Sequence, residues 1–355
     1  LSQYFNCDDK SYMESLHDLQ KIIFGPIAFQ ASKILLKNGV LNLIFETREQ
    51  GIEFDKLLEK CAFSKYGLQV LLEAGLAIGI VYKNKDRYVL SRLGYALLHD
   101  KMGLVHLDFM DKMCYEGFSD LEESIKKGKP EGLKRLGSWD TLYEGLSQLE
   151  PPVRDSWLAF DHYHSDGAFG DALKIVFKNS PQSILDIGAN TGKWTKQCLA
   201  YSTNVRIGLV DLPGQLEMAE KELSKDTLIN RVDFHPRNML DLSTTLPNGY
   251  DVIWMSQFLA CFADKEIVVI LKKVKEAMGK NSTLFINEPC WDKQKMEAGA
   301  YSLIMISLYF TCFANGNSKS FNSWDLGSNI EEAGLKVKEI HDIGTGHSLF
   351  ECTIA

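Results

Sequence analysis

Ser183-Ile184-Leu185-Asp186-Ile187-Gly188-Ala189-Asn190-Thr191-Gly192-Lys193-Trp194 reads as a buried strand, a tight glycine turn and the first turn of a helix. Ile184, Leu185 and Ile187 suit a strand covered on both faces, as in a parallel sheet. Gly188 and Gly192 permit backbone angles and close approaches that a side chain would block. The helix that follows leaves its first N–H groups without partners, which suits a carboxylate or a phosphate. An ordinary strand-to-helix turn needs such a loop too, so spacing and the next strand have to decide.

A nicotinamide fingerprint wants glycines at first, third and sixth positions. Counted from Gly188 those are Gly188, Asn190 and Lys193, and one fits. Glycines at first, third and fifth positions behind an acid fit better, as Asp186, Gly188, Asn190 in place of the middle glycine, and Gly192. This second pattern resembles the S-adenosylmethionine (SAM) loop of class I methyltransferases, whose backbone lies against the amino-acid end of SAM. The next strand, Val205–Val210, ends at Asp211 ahead of Leu212-Pro213. An acid at the tip of a second strand can accept hydrogen bonds from both ribose hydroxyls. Capping of the following helix is the plainer role open to it.

The chain has 355 residues, enough for two domains with full cores. A net charge of −8 and a hydrophobic fraction of 45% describe an ordinary acidic soluble protein. Neither points to nucleic acid or an anionic membrane as partner. Eight cysteines are scattered, with no CxxC pair and no Cys/His cluster at zinc spacing. That argues for a reducing cytoplasm and against a metal site. No signal peptide is visible at the start, and the apolar run Leu303–Phe313 is short for a bilayer and broken by Ser307 and Thr311.

Upstream, residues 15–45 carry apolar side chains at helical spacing, with Pro26 as a break or a first turn. Phe54–Leu58 is a short helix, and Ser64 caps a second that Gly75 and Gly79 end. Ile80–Tyr82 and Arg87–Leu90 flank a turn at Asn84-Lys85-Asp86, a hairpin. Two helices and a hairpin make a winged helix. Its second helix lacks the clustered Lys and Arg that phosphates require, so dimerisation is favoured over DNA binding. Helical, irregular chain then runs to a boundary at Pro151-Pro152, and residues 157–177 hold one or two helices with the cluster Phe160-Asp161-His162-Tyr163-His164. Beyond Asp211, strands at 232–235, 250–255, 283–288, 337–341 and 349–354 alternate with helices at 215–223, 264–278, 301–313 and 324–333.

These features resemble the small-molecule O-methyltransferases of the plant caffeic-acid and acetylserotonin type and their bacterial relatives, over nearly the whole length. The matching positions are Asp186–Gly192, Asp211-Leu212-Pro213, Leu246-Pro247 before Tyr250-Asp251, Glu288-Pro289, and Glu332-Ala333-Gly334-Leu335. The resemblance implies an α/β fold, a Rossmann-like seven-stranded SAM-methyltransferase sheet behind a mainly helical winged-helix dimerisation domain. It divides the chain into residues 1–105 for dimerisation, 106–180 as a helical linker that helps form the pocket, and 181–355 for SAM binding. It implies a homodimer, a small-molecule acceptor, and SAM as cofactor with S-adenosylhomocysteine as product. The SAM contacts would be Asp186, Gly188, Asn190, Gly192, Asp211, Leu212, Asn238, Met239, Ser256 and Gln257. Asn238 stands where the family carries an acid beside the adenine.

The departure with chemical weight follows the fourth strand. The family places Leu-His-Asp-Trp-Ser-Asp there, with the histidine as general base; this chain has Leu259-Ala260-Cys261-Phe262-Ala263-Asp264. Ala260 cannot take a proton, and a positioned base contributes roughly 10² to 10⁴ in rate. Three accounts follow: methyl transfer with another base or by proximity alone, a SAM-binding relative with different chemistry, or a non-catalytic dimeric binding protein. The first is favoured, with His162 and His164 as replacement bases and Glu288 as an orienting or accepting carboxylate. Cys261 lacks a neighbour in sequence to lower its pKa and reads as a packing residue. The helix 301–313 would wall an acceptor pocket with Met305 and Tyr309, joined by Tyr163, for a flat and largely apolar molecule.

Overall fold

The computed structural model describes residues 4–225, 227–344 and 346–355. Contacts divide them into two units, Cys7–Asp111 and Lys112–Ala355, with residues 4–6 belonging to the second. In the first unit, helices Tyr12–Ile23, Gly25–Lys37 and Val40–Glu46 follow one another, and Pro26 sits in the first turn of the second, where no N–H is needed. Helices Phe54–Lys60 and Lys65–Ile78 come next. Ser64 caps the latter by accepting from the Gly67 N–H at 3.0 Å, and Gly79 ends it at φ +89°. Gly75 does not end that helix. It lies buried inside it, where a Cβ would stand 3.2 Å from Val81. The hairpin strands β2 (Val81–Asn84) and β3 (Arg87–Leu90) gain a short partner, β1 (Ile52–Glu53), in the order β1-β3-β2. Two residues are too few to show as a strand pattern in sequence.

The second unit is built on a seven-stranded sheet. Its strands are β4 (Ser183–Ile187), β5 (Arg206–Asp211), β6 (Val232–Pro236), β7 (Val252–Ser256), β8 (Thr283–Glu288), β9 (Leu335–Ile343) and β10 (His347–Ile354), in the order β6-β5-β4-β7-β8-β10-β9. Strands β4 to β8 pair parallel, and β10 runs antiparallel to both β8 and β9. Alternate side chains serve two layers. Leu185, Ile187, Ile253, Met255, Leu284 and Ile286 meet the helices Asp264–Ala277 and Ser323–Glu332 on one face. Ile184, Ile207, Leu209, Val252, Trp254 and Phe285 meet the helices Pro151–Val176, Lys193–Tyr201 and Pro213–Leu223 on the other. The chain order reverses at β4, so the crevice beyond the carboxyl ends of β4, β5 and β7 is where such a sheet takes a ligand.

Two helices differ from their sequence reading. Pro151-Pro152 opens one continuous 26-residue helix, Pro151–Val176, with both prolines in the turn that tolerates them. The apolar helix starts earlier than expected, at Glu297, and passes through Tyr309 into a wider π turn to Ala314. Those 18 residues are long and apolar enough to cross a membrane by length and composition, the one such helix among the described residues. Here Ala300, Leu303, Tyr309, Cys312, Phe313 and Ala314 are buried in protein, with Phe118 edge-on to Phe313 at 5.2 Å.

Ile286 is fully buried at the centre of the sheet. Ile286→Ala is expected to cost about 2–5 kcal/mol through lost burial and a residual cavity, read as a lower urea midpoint by circular dichroism.

Candidate functional site

The turn after β4 is fixed by its glycines and by Asn190. Gly188 adopts φ +78° and donates its N–H to the Val210 carbonyl at 2.9 Å. A Cβ on Gly188 would lie 2.4 Å from the Phe258 ring. Asn190 takes φ +48°, a conformation Asn tolerates better than most residues. Its N–H donates to Asp211 at 2.9 Å and its side-chain amide to Asp161 at 2.8 Å. Gly192, at φ +75°, starts the helix Lys193–Tyr201. Asp186 points to that helix, where the Thr195 hydroxyl donates to it at 2.8 Å.

Beyond this turn lies a cavity of about 310 Å³. Its walls include the turn itself, Asp211 and Leu212 after β5, Arg237–Leu240 after β6, Ser256–Phe258 after β7, and Glu288 at the end of β8. The helix Pro151–Val176 adds Trp157, Phe160, Asp161, His162, His164 and Ser165, and the apolar helix adds Leu303, Ile306, Tyr309 and Phe310. Buried polar atoms without hydrogen-bond partners cluster on these walls: Asn190 Oδ1, Gln215 Oε1, Gln257 Nε2, Glu288 Oε2, and the indole N–H groups of Trp194 and Trp254. The two indoles stack at 4.0 Å with 14° between their planes. Buried groups of this kind are normally paired, so their concentration here marks a ligand site.

The charge is one-sided. Burial pushes Asp186 up to about 7, with the Thr195 bond opposing it. Burial pushes Asp211 up to about 6, against the N–H groups of Asn190 and Leu212. Glu288 is pushed up to about 8 by burial, although the N–H groups of Leu259, Ala260 and Phe258 favour its ionised form. The cations on the walls, Lys193 and Arg237, are outnumbered by the acids. Lys193 pairs with Asp166 at 2.8 Å, and Arg237 donates to the Pro236 carbonyl at 2.8 Å. A cavity walled by acids and aromatic rings favours a ligand that brings positive charge.

The sequence candidates separate on this map. Asp186, Gly188, Asn190, Asp211, Leu212, Asn238, Met239, Ser256, Gln257, Glu288, His162, His164, Ala260 and Tyr309 line the cavity. Gly192 lies outside the lining and serves the turn. Tyr163 and Met305 are exposed and lie outside it as well. Each neighbours a lining residue, Tyr163 lying edge-on to His164 at 5.4 Å and Met305 preceding Ile306, without lining the cavity itself. His162 Nε2 is 3.4 Å from the Thr191 hydroxyl, and its Nδ1 is 3.6 Å from Asp166. Cys261 lines the cavity, and burial pushes its thiol up and keeps it protonated, against the opposing hydrogen bond from the Tyr143 hydroxyl. Trp157 donates to the Tyr309 hydroxyl at 2.7 Å. Trp157, Tyr143 and Asp161 were not foreseen as site residues; the spacing Trp157, Asp161, His164, Ser165 carries the helical period that could have shown one face. Away from the cavity, Glu339, His341 and Glu351 stand close enough to share a metal ion, but Lys338 already pairs with Glu351.

Comparison with known proteins matches residues 118–334 to the model of the O-methyltransferase domain, and residues 18–88 to that of the Dimerisation2-like domain. The chain belongs to the O-methyltransferase family. Among its relatives, the L-tyrosine C(3)-methyltransferase of Streptomyces lavendulae is 21% identical over 76% of this chain and 74% of that protein. The mitomycin biosynthesis 6-O-methyltransferase of the same organism is 25% identical over 92% and 90%. The solved O-methyltransferase NcsB1 from neocarzinostatin biosynthesis, in complex with SAM and 2-hydroxy-5-methyl naphthoic acid, superposes with a TM-score of 0.68 at 21% identity, covering 92% and 96%. As a family member the chain is a SAM-dependent methyltransferase, and its cavity fits that cofactor. Both Asp211 oxygens accept one backbone N–H each, from Leu212 and Asn190, and keep lone pairs facing the cavity.

The raised acids make the stability of this methyltransferase pH-dependent. Asp186 and Glu288 bind their protons more tightly in the fold than in the unfolded chain, where 3.8 and 4.5 are ordinary. Their contribution is complete below those values and is lost as the pH rises through about 7 and 8. His347 acts oppositely: burial lowers it from 6.5 to about 4, so its share is gained as the pH rises to 6.5. Above pH 6.5 the acids decide the sign. Melting temperature without ligand is expected to fall between about pH 6.5 and 8.5, and Glu288→Gln to flatten part of that fall in thermal scans.

Proposed function

We propose that this methyltransferase transfers the methyl group of SAM to a hydroxyl of a small, flat, largely apolar aromatic molecule, with Glu288 receiving the proton. The observation that carries this reading is the Glu288 carboxylate. It is 1% exposed, its Oε1 accepts the Leu259 N–H at 3.0 Å, and its Oε2 is buried on the cavity wall without a partner. This supports Glu288, at the end of β8, as the proton acceptor beside Ala260, the position left without a histidine. A carboxyl held near 8 is suited to proton exchange close to neutral pH, and a cationic ligand nearby favours its ionised form.

SAM, when bound, supplies an electrophilic methyl on a sulfonium sulfur. Trp157, Phe160, Phe258, Phe262, Tyr309 and Phe310 would clasp the acceptor ring, and the Trp157–Tyr309 hydrogen bond fixes two of them. Glu288 would take the acceptor's hydroxyl proton, and the methyl that SAM would supply gives the methyl ether with S-adenosylhomocysteine as the other product. Asp186, Gly188, Asn190, Asp211, Leu212, Asn238, Met239, Ser256 and Gln257 would hold the cofactor. His162 and His164 line the same space. The contacts of His162 with Thr191 and Asp166 direct it to the loop side, so its role would be to support the turn.

The dimerisation-domain match supports a homodimer, and the first unit offers a surface for it. Tyr12, Met13, Ile22, Ile23, Phe24 and Ile27 are all more than half exposed on its first two helices and the residue that joins them. Large exposed apolar side chains grouped in this way are an interaction surface. All eight cysteines are free, in keeping with a cytoplasmic dimer.

A panel of phenols and catechols with labelled SAM tests the reaction. With the accepted substrate, Glu288→Gln is expected to lower kcat by roughly 10² to 10⁴; an unchanged kcat would remove Glu288 as the base. The double variant Ile22→Asp, Ile23→Asp is expected to sediment as a monomer where the parent chain is a dimer.

A further inference from the structure

Asp161 is a half-buried acid on the cavity wall that the reaction scheme leaves without work. It lies midway along the helix Pro151–Val176 and lines the cavity opposite the turn after β4. Asn190 ties it down. The Asn190 side-chain amide donates to Asp161 Oδ2 at 2.8 Å, while the Asn190 carbonyl oxygen, Oδ1, stays buried with no partner. Lys193 makes its ion pair with Asp166 rather than with Asp161, on which it and His162 act without a direct contact. Burial holds the Asp161 carboxyl above the usual carboxylate range. The wall therefore presents a carboxylate and an amide oxygen side by side, acceptors both. Such a pair suits a small group with several N–H donors and a positive charge.

The direction of the cofactor identifies that group. Asp211, at the tip of β5, is the ribose acid, and the adenine would extend toward Arg237–Leu240 after β6. The turn runs the other way, and the Asn190 N–H bond to Asp211 makes Asn190 the residue that joins the ribose acid to Asp161. What SAM carries beyond its sulfur on that side is an amino acid, and the donor-bearing cation of an amino acid is its ammonium.

We propose that Asp161 and the side-chain oxygen of Asn190 together bind the α-ammonium of SAM and of S-adenosylhomocysteine. This rests on the reading of the cavity as a SAM site. Asn190 replaces the middle glycine of the loop pattern, so one residue both orients the acid and adds a ligand. A glycine could do neither.

Two neutral-sulfur ligands isolate the contact: S-adenosylhomocysteine, which has the amino-acid end, and 5′-methylthioadenosine, which lacks it. Calorimetric titration of the full chain is expected to show S-adenosylhomocysteine binding the more tightly. Asp161→Asn, which keeps the shape and removes the charge, should weaken S-adenosylhomocysteine at least tenfold and leave 5′-methylthioadenosine within about twofold. Asn190→Gly, which restores the loop pattern and so keeps the turn, should weaken S-adenosylhomocysteine severalfold with the same selectivity. Unchanged S-adenosylhomocysteine affinity in Asp161→Asn, or equal loss of both ligands in both variants, would overturn the proposal. Failure of the parent chain to bind either ligand would instead overturn the SAM-site reading beneath it.

Discussion

A side chain at Gly188 would drive its Cβ to 2.4 Å from the Phe258 ring, at a backbone angle that L side chains rarely adopt. That steric limit organises the site. Because the chain can turn so tightly after β4, its next residues reach back to β5, and the Asn190 N–H meets Asp211. The same turn brings the Asn190 amide to the long helix Pro151–Val176, so strand, turn and helix share one hydrogen-bonded seam. Phe258, which fills the space above Gly188, begins the loop whose N–H groups surround Glu288. One glycine thus connects the Asp211 end of the cavity to its Glu288 end.

The energetic cost of the arrangement is the burial of carboxyl groups. Asp186, Asp211 and Glu288 all stand above their ordinary range, and burial is the leading cause in each. Backbone N–H groups and one threonine hydroxyl offset part of that cost, but no side-chain cation does so directly. A cofactor with a sulfonium and an ammonium supplies the missing charge only when it arrives. The product, whose sulfur is neutral, supplies less.

How much of this the sequence revealed depended on the kind of element. Parallel strands buried on both faces announce themselves as apolar runs between turn signals, and β4, β5 and β8 lie where Ile184–Ile187, Ile207–Val210 and Leu284–Ile286 put them. Asp211 and Glu288 each end a strand and line the cavity, a position the strand pattern makes visible. Helix faces were not. Tyr163 and Met305 share helices with cavity residues yet point away from the cavity, because the packing of each helix on its neighbours chooses the face. Asp161 was noticed in a dense cluster, but its tie to Asn190, 29 residues on, exists only in the folded chain. Gly75 looked like a helix end and is a packing site, since close approach and chain reversal call for the same residue.

The stacked indoles of Trp194 and Trp254 have a consequence beyond packing. Two chromophores in near-parallel contact at 4.0 Å couple their electronic transitions, and both present an unpartnered N–H on the cavity wall. The pair comes from different elements, one from the helix after the glycine turn and one from β7. Its near-ultraviolet circular dichroism is therefore an intrinsic optical signature of how closely that helix sits on the sheet, and whatever occupies the cavity alters the medium in which those transitions occur.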